Sequence, residues 1–175
     1  MSEFIYKLNL PPLDEILTQQ AQTELFVGKN QQIYKQYHPK DLLKSEWLTW
    51  KDVEWDFVNF FYKNNYRGII HVDGPSVWGI NWVYNGSGSM EYWLPEDVTQ
   101  LPAGLDEVGS KRSECFTNKD PVKIYKTPPG AYLTDASVPH RASGYDGRYA
   151  FSLRCYYTNP ISWEEAKVKF GDLFI

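Results

Sequence analysis

Apolar and polar residues alternate through the stretch GRYAFSLRCYY, residues 147–157, and this most restricts what the sequence can fold into. A period of two puts Tyr149, Phe151, Leu153 and Cys155 on one face of a strand and Arg148, Ala150, Ser152 and Arg154 on the other. The aromatic face belongs on a core. The other face carries two guanidinium groups. It is either solvated, or it faces an interior that holds an anion for them, because a buried, unpaired charge is strongly destabilising.

The surrounding sequence supplies more strands. Residues 66–72 (YRGIIHV), 78–84 (WGINWVY), 89–94 (SMEYWL), 121–126 (PVKIYK) and 130–136 (GAYLTDA) all read as strands, with NGSGS (85–89) as a hairpin-type turn. Residues 95–120 have no clear period and read as a long connection with the makings of a lid. Before residue 66 the pattern is helical. Leu13, Ile16 and Leu17 follow a proline start, and Leu43, Trp47, Trp50, Val53, Phe57, Phe60 and Phe61 lie at helical spacing, with Asn64-Asn65 as the stop. Ser162 and Glu165 have capping-box spacing for a last helix that Gly171 ends. The expected class is mostly β with flanking helices: a barrel buttressed by N-terminal helices. At 175 residues a single domain is expected over 1–175, with a helical buttress (1–65), a β-barrel core (66–157) and a C-terminal helix (158–175).

Composition narrows the function. The net charge of −4 and the absence of a Lys/Arg block argue against a nucleic-acid footprint. No apolar run approaches membrane-spanning length, and MSEFIYKLNL lacks the features of a signal peptide. Cys115 and Cys155 are too few for a disulfide framework, so a soluble, reduced, cytoplasmic protein is expected. Aromatics at 17% suit a lined pocket for a small-molecule or peptide substrate.

The stretch GIIHVDGP (68–75) brings His71 and Asp73 to one side of a strand before Gly74-Pro75 turns the backbone away. Only two other histidines exist, His38 and His140. His38 precedes a proline near a helix start and reads as a surface residue. His140, preceded by Pro139, is the candidate third ligand. Two histidines and one carboxylate leave a metal with open positions, an arrangement suited to Fe(II). The pair alone also fits an ordinary hydrogen-bonded contact at a strand end.

Together, His71-x-Asp73, the distal His140 and the arginine-bearing strand after it resemble the Fe(II)/2-oxoglutarate-dependent oxygenases over about residues 66–157. The resemblance implies a double-stranded β-helix, a jelly-roll of cupin-like form. It implies Fe(II) on His71, Asp73 and His140, and 2-oxoglutarate as cosubstrate with its far carboxylate on an arginine. It also implies hydroxylation of a second substrate with release of succinate and CO2. Arg148 stands where the family's cosubstrate arginine lies, but the Ser or Thr often found two residues later is here Ala150. Arg154 is the rival, at the R-x5-R spacing of the nucleic-acid demethylase branch, and Ser152 lies between them.

Asn81 is a further candidate cosubstrate contact if its face is inward, and Tyr66, Tyr92 and Trp93 are candidate pocket residues. Glu91 and Asp135 have no evident partner. Two other readings stay open: a cupin-like metal-binding protein or isomerase without oxygenase activity, and a non-enzymatic module with an aromatic-lined binding surface.

Overall fold

A computed structural model describes residues 3–26, 33–63, 65–74, 77–155 and 161–175. Its centre is a pair of 15-residue strands, β6 (Trp78–Tyr92) and β12 (His140–Arg154), antiparallel along nearly their whole lengths. The other strands are β1 (Ile5–Leu8), β2 (Ile33–Tyr37), β3 (Phe57–Lys63), β4 (Tyr66–Arg67), β5 (His71–Asp73), β7 (Thr99–Gln100), β8 (Gly104–Leu105), β9 (Lys111–Phe116), β10 (Lys123–Lys126) and β11 (Gly130–Asp135). All are joined in one antiparallel sheet curled into a half-barrel, so the expected mostly β class with flanking helices is found.

The two long strands are shared by both halves of the curl. In one half, β6 is flanked by β11 and β1, and β12 by β3 and β2. In the other, β6 is flanked by β10, and β12 by β4 and β5, with β9 beyond β5. The register shifts between Tyr145 and Tyr149, where Asp146 (φ 57°) and Gly147 (φ 69°) adopt left-handed backbone. A bulge of this kind bends a strand and re-aims the side chains after it.

The helices α1 (Leu13–Ile16), α2 (Gln19–Phe26), α3 (Pro39–Leu42) and α4 (Trp163–Phe170) cover the outer face of the first half. Leu13, Ile16, Leu25 and Phe170 pack there against Val58, Phe60, Ile80, Trp82, Phe151 and Leu153. The alternation of GRYAFSLRCYY is used as expected, since Phe151 and Leu153 are fully buried on this side. Each such side chain contributes roughly 1.5–3 kcal/mol by leaving water. Trp78 and Trp82 also donate their indole N–H groups to the carbonyls of Ile161 and Pro11, tying the sheet to its covering. The capping box of α4 is formed as its spacing predicts, with Ser162 Oγ accepting from the Glu165 N–H and Glu165 accepting from the Ser162 N–H.

Four sequence expectations differ from what is found. First, the helical run over 38–65 is only α3 and two 3₁₀ turns, followed by β3. Val58 and Phe60 alternate with Asn59, and pairing with β12 overrides a spacing that also suits a helix. Second, β1 and β2 lie within the segment expected to be a helical buttress. Third, NGSGS does not turn; it continues β6. Fourth, residues 95–120 contain β7, β8 and β9 rather than an open connection. Asn64, Pro75, Tyr156 and Tyr157 lie outside the described residues, so the expected turn at Gly74-Pro75 and the end of the alternating strand do too. Among the described residues, no helix is long and apolar enough to cross a membrane.

Candidate metal centre

β5 is only three residues long, but both of its edges are paired. His71 lies opposite His140 of β12 on one side and opposite Glu114 of β9 on the other. Asp73 N–H donates to the Ala136 carbonyl at 3.1 Å, which fixes the end of the strand. Strand alternation then points His71 and Asp73 into the same space, where His140 arrives from the neighbouring strand. One ligand atom from each of the three lies within 4.8 Å of the others. His71 Nε2 is 3.3 Å from Asp73 Oδ1, and His140 Nε2 is 3.9 Å from Asp73 Oδ2.

The second nitrogens decide which tautomers face the centre. His71 Nδ1 is 2.9 Å from the Ile69 carbonyl, and His140 Nδ1 is 2.8 Å from the Val138 carbonyl. A carbonyl only accepts, so both Nδ1 atoms must donate. In neutral rings both Nε2 lone pairs therefore face the Asp73 carboxylate. Converging acceptors repel unless a cation lies between them, and histidines oriented by Nδ1–H are the usual form of metal ligands. The donor set fits a divalent metal.

Without a metal, a proton provides part of that compensation. Burial pulls the His71 pKa down, but the Asp73 hydrogen bond and charge, with the Ile69 carbonyl, outweigh it and raise it above 6.5. Burial and the neighbouring His71 charge lower His140 to about 4. Burial would raise Asp73, but the Arg154 guanidinium and His71 hold its carboxyl well below the usual range.

Arg148 and Arg154 of β12 have different partners. Arg154 Nη1 stands 3.0 Å from Asp73 Oδ2, and its Nε donates to Ser152 Oγ at 2.8 Å. The anion beside this arginine is thus the Asp73 carboxylate, where the sequence leaves open a solvated face or a bound anion. Arg148 is 3% exposed and donates through Nη1 to Tyr66 Oη at 2.6 Å and through Nη2 to Thr127 Oγ1 at 3.5 Å.

The glycines of NGSGS explain how so long a side chain is accommodated against the sheet. Gly88 lies opposite Gly144, and a Cβ on either would come within 2.9 Å of Arg148 Cδ. A Cβ at Gly144 would also come within 2.3 Å of the Tyr66 ring.

His71, Asp73, His140, Arg148, Arg154 and Tyr66 all line one cavity of about 200 Å³ between the two halves of the curl. Ser152 and Asn81 line it too, in register with each other across β12 and β6, and Asn81 donates to Thr134 Oγ1. Two expected pocket residues are elsewhere. Tyr92 is fully buried in a second core cluster, with its ring 4.9 Å from Phe4 and 5.9 Å from His140. Trp93 is buried beneath the Arg141 guanidinium and donates to the Lys119 carbonyl. Both are large enough to be consumed by packing.

Glu91 and Asp135 also differ from expectation. Glu91 accepts from Arg67 and Arg141, and Asp135 accepts from the Ser137 N–H and hydroxyl. His38 caps α3 by accepting from the Lys40 N–H.

Sequence reasoning misses Thr127, Thr134, Tyr34, Asp106 and Arg112, all on the cavity wall. Asp106 shapes its loop by accepting from the Val108 and Ser110 N–H groups, and it also accepts from Tyr34 Oη. The one local signal is D-x-x-G-S (106–110), a turn-forming spacing inside the stretch that reads as featureless.

No family model matches the protein, and no curated protein matches its sequence. Among solved structures it is similar to a hydroquinone 1,2-dioxygenase, PnpCD, in complex with Cd2+ and 4-hydroxybenzonitrile. That match has 9% identity and a TM-score of 0.41 over 68% of this protein and 65% of that one. It is also similar to E. coli ycfD, with 12% identity and a TM-score of 0.39 over 67% of this protein and 29% of the other. In both cases the match spans less than two thirds of the other protein's length.

Proposed function

We propose that the protein is an Fe(II)- and 2-oxoglutarate-dependent dioxygenase that hydroxylates a C–H bond. In the balanced reaction one atom of O2 enters the substrate, the other enters succinate, and CO2 leaves. The observation that carries this reading is the joint placement on one cavity wall of the His71–Asp73–His140 cluster and a buried arginine, Arg148.

Fe(II) would supply the redox chemistry and a coordination site for the cosubstrate. His71 and His140 would hold it through Nε2 and Asp73 through a carboxylate oxygen. Their geometry is pre-set by the Ile69 and Val138 carbonyls, and by Arg154, which orients Asp73 and keeps it ionised. Arg148, with Tyr66 and Thr127 around it, is the anchor for the far carboxylate of 2-oxoglutarate, and Arg154 is excluded from that role by its own ion pair. Asn81 and Thr134 give the floor polar character, while Val83, Met90 and Ala150 keep part of the wall apolar.

Anaerobic Fe(II) titration tests this. One equivalent should bind to the wild-type protein and none to His71→Ala. The loaded protein should form succinate from 2-oxoglutarate, with a raised KM for 2-oxoglutarate in Arg148→Met. A protein that binds no metal is a binding module instead. A protein that binds metal but makes no succinate is a metal-binding barrel of another kind.

A further inference from the structure

The three arginines on the cavity wall are not equivalent. Arg148 and Arg154 are hydrogen-bonded to other side chains. The Arg112 guanidinium makes no hydrogen bond among the described residues. It has only long ion pairs, with Nη1 3.9 Å from Asp106 Oδ2 and Nη2 3.6 Å from Glu114 Oε1. Asp106 is already engaged by Tyr34 and two backbone N–H groups, and the Glu114 side chain is 46% exposed. Arg112 lines the cavity and holds both carboxylates only at long range, so its guanidinium has hydrogen bonds to give to a closer anion.

The position of Arg112 relates it to the metal centre. In the β5–β9 ladder Arg112 pairs with Asp73 and Glu114 pairs with His71. Two residues beyond Glu114, on the same face, is Phe116. The ladder continues there, with Cys115 N–H donating to the Ile70 carbonyl and Leu101 N–H to the Glu114 carbonyl. These bonds put Ile69, Leu101 and Phe116 on the same face of the sheet as His71, where they are 45%, 43% and 57% exposed and where Ile69 alone of the three lines the cavity. Ile69 belongs to both regions, because it lines the cavity and its carbonyl orients His71. A cationic group and an exposed apolar shelf thus lie about 13 Å apart along one strand, with the row of His71 between them.

We propose that the primary substrate is an amphipathic carboxylic acid. Its carboxylate is bound by Arg112, and its apolar body lies over Ile69, Leu101 and Phe116. This carries a C–H bond from the middle of that body past the His71–Asp73–His140 cluster. The reaction at that bond rests on the oxygenase reading above, but binding of the acid does not. Glu114 lies along the track and competes for Arg112, so removing its charge should help the ligand.

Octanoate is the probe, measured by isothermal titration on the iron-free, full-length protein. Octanamide keeps the apolar body without the charge, and acetate keeps the charge without the body. Octanoate should bind at least about tenfold more tightly than either. Arg112→Met should weaken octanoate about tenfold and leave octanamide unchanged, whereas Glu114→Gln should tighten octanoate. Phe116→Ser and Leu101→Ser should weaken octanoate and octanamide alike. Thermal melts identify any variant that fails to fold, and Glu114→Gln, an exposed isosteric change, keeps the test decisive in that event.

Equal binding of octanoate and octanamide, or no gain in Glu114→Gln, overturns the proposal. With iron and 2-oxoglutarate added, octanoate should raise succinate formation. Octanoate binding without any succinate leaves this site standing and overturns the oxygenase reading. Succinate formation with no octanoate binding does the reverse.

Discussion

The two faces of the Arg148–Arg154 segment are buried to nearly the same degree by opposite means. On one face Phe151 and Leu153 are fully buried among apolar side chains and the covering helices. On the other, Arg148 and Ser152 are 3% and 4% exposed, yet they line a cavity and depend on named polar partners. The apolar face is held by area and shape, and substitution there should be felt in stability. The polar face is held by specific pairs, and substitution there should be felt in what the protein binds.

The sharpest test of that division is Phe151→Ala. It should cost about 3–5 kcal/mol in denaturant unfolding and leave the metal affinity of the folded fraction unchanged. A loss of metal affinity in the folded fraction would mean that the faces are coupled. Next is Arg154→Met, which removes the partner of Asp73. Metal affinity in a chelator competition should fall about 10–100-fold, as expected for a group that orients a ligand. Gly144→Ala is third. Its Cβ has no room beside Tyr66 and Arg148, so it should cost roughly 1–3 kcal/mol and also weaken 2-oxoglutarate binding.

The smallest effect is that of pH on metal loading. The His71 pKa is raised above 6.5, so its proton must leave when metal binds. Affinity should therefore begin to fall at a pH above 6.5 and drop about tenfold per further unit of acid, read from metal titrations at several pH values. In the metal-free protein His140 acts on stability instead. Its folded pKa of about 4 lies below 6.5, so its contribution is complete above pH 6.5 and is lost as pH falls towards 4. A His140→Asn variant should lack that part of the acid-induced decrease in Tm.

The same two faces show what is legible in the sequence. Strict alternation in residues 147–155 places both arginines on one side, and the H-x-D spacing places two ligand candidates on one strand, because period two is local information. The partners of Arg148 and Arg154 are not legible, since Tyr66, Thr127 and Asp73 are distant in sequence and meet them only through pairing. The segment Phe57–Lys63 reads as helix because Phe57, Phe60 and Phe61 satisfy a helical spacing as well, and only pairing with β12 selects the strand. NGSGS reads as a turn on composition, although its glycine at 88 is there to make room for the distant Arg148. Tyr92 and Trp93 are candidate pocket residues on chemistry alone, and packing takes both.

β12 carries His140 at one end and the Phe151–Leu153 core contacts at the other. A slip of one residue in the pairing of its Ala150–Leu153 part would turn the aromatic side chains into the cavity and the guanidinium groups into the helices. The core contacts that reject such a slip therefore act as a proofreading step for the chemistry. Pairing that buries Phe151 and Leu153 also sets Ser152 and Arg154 towards the cavity, so a molecule misregistered there loses stability together with that part of the site.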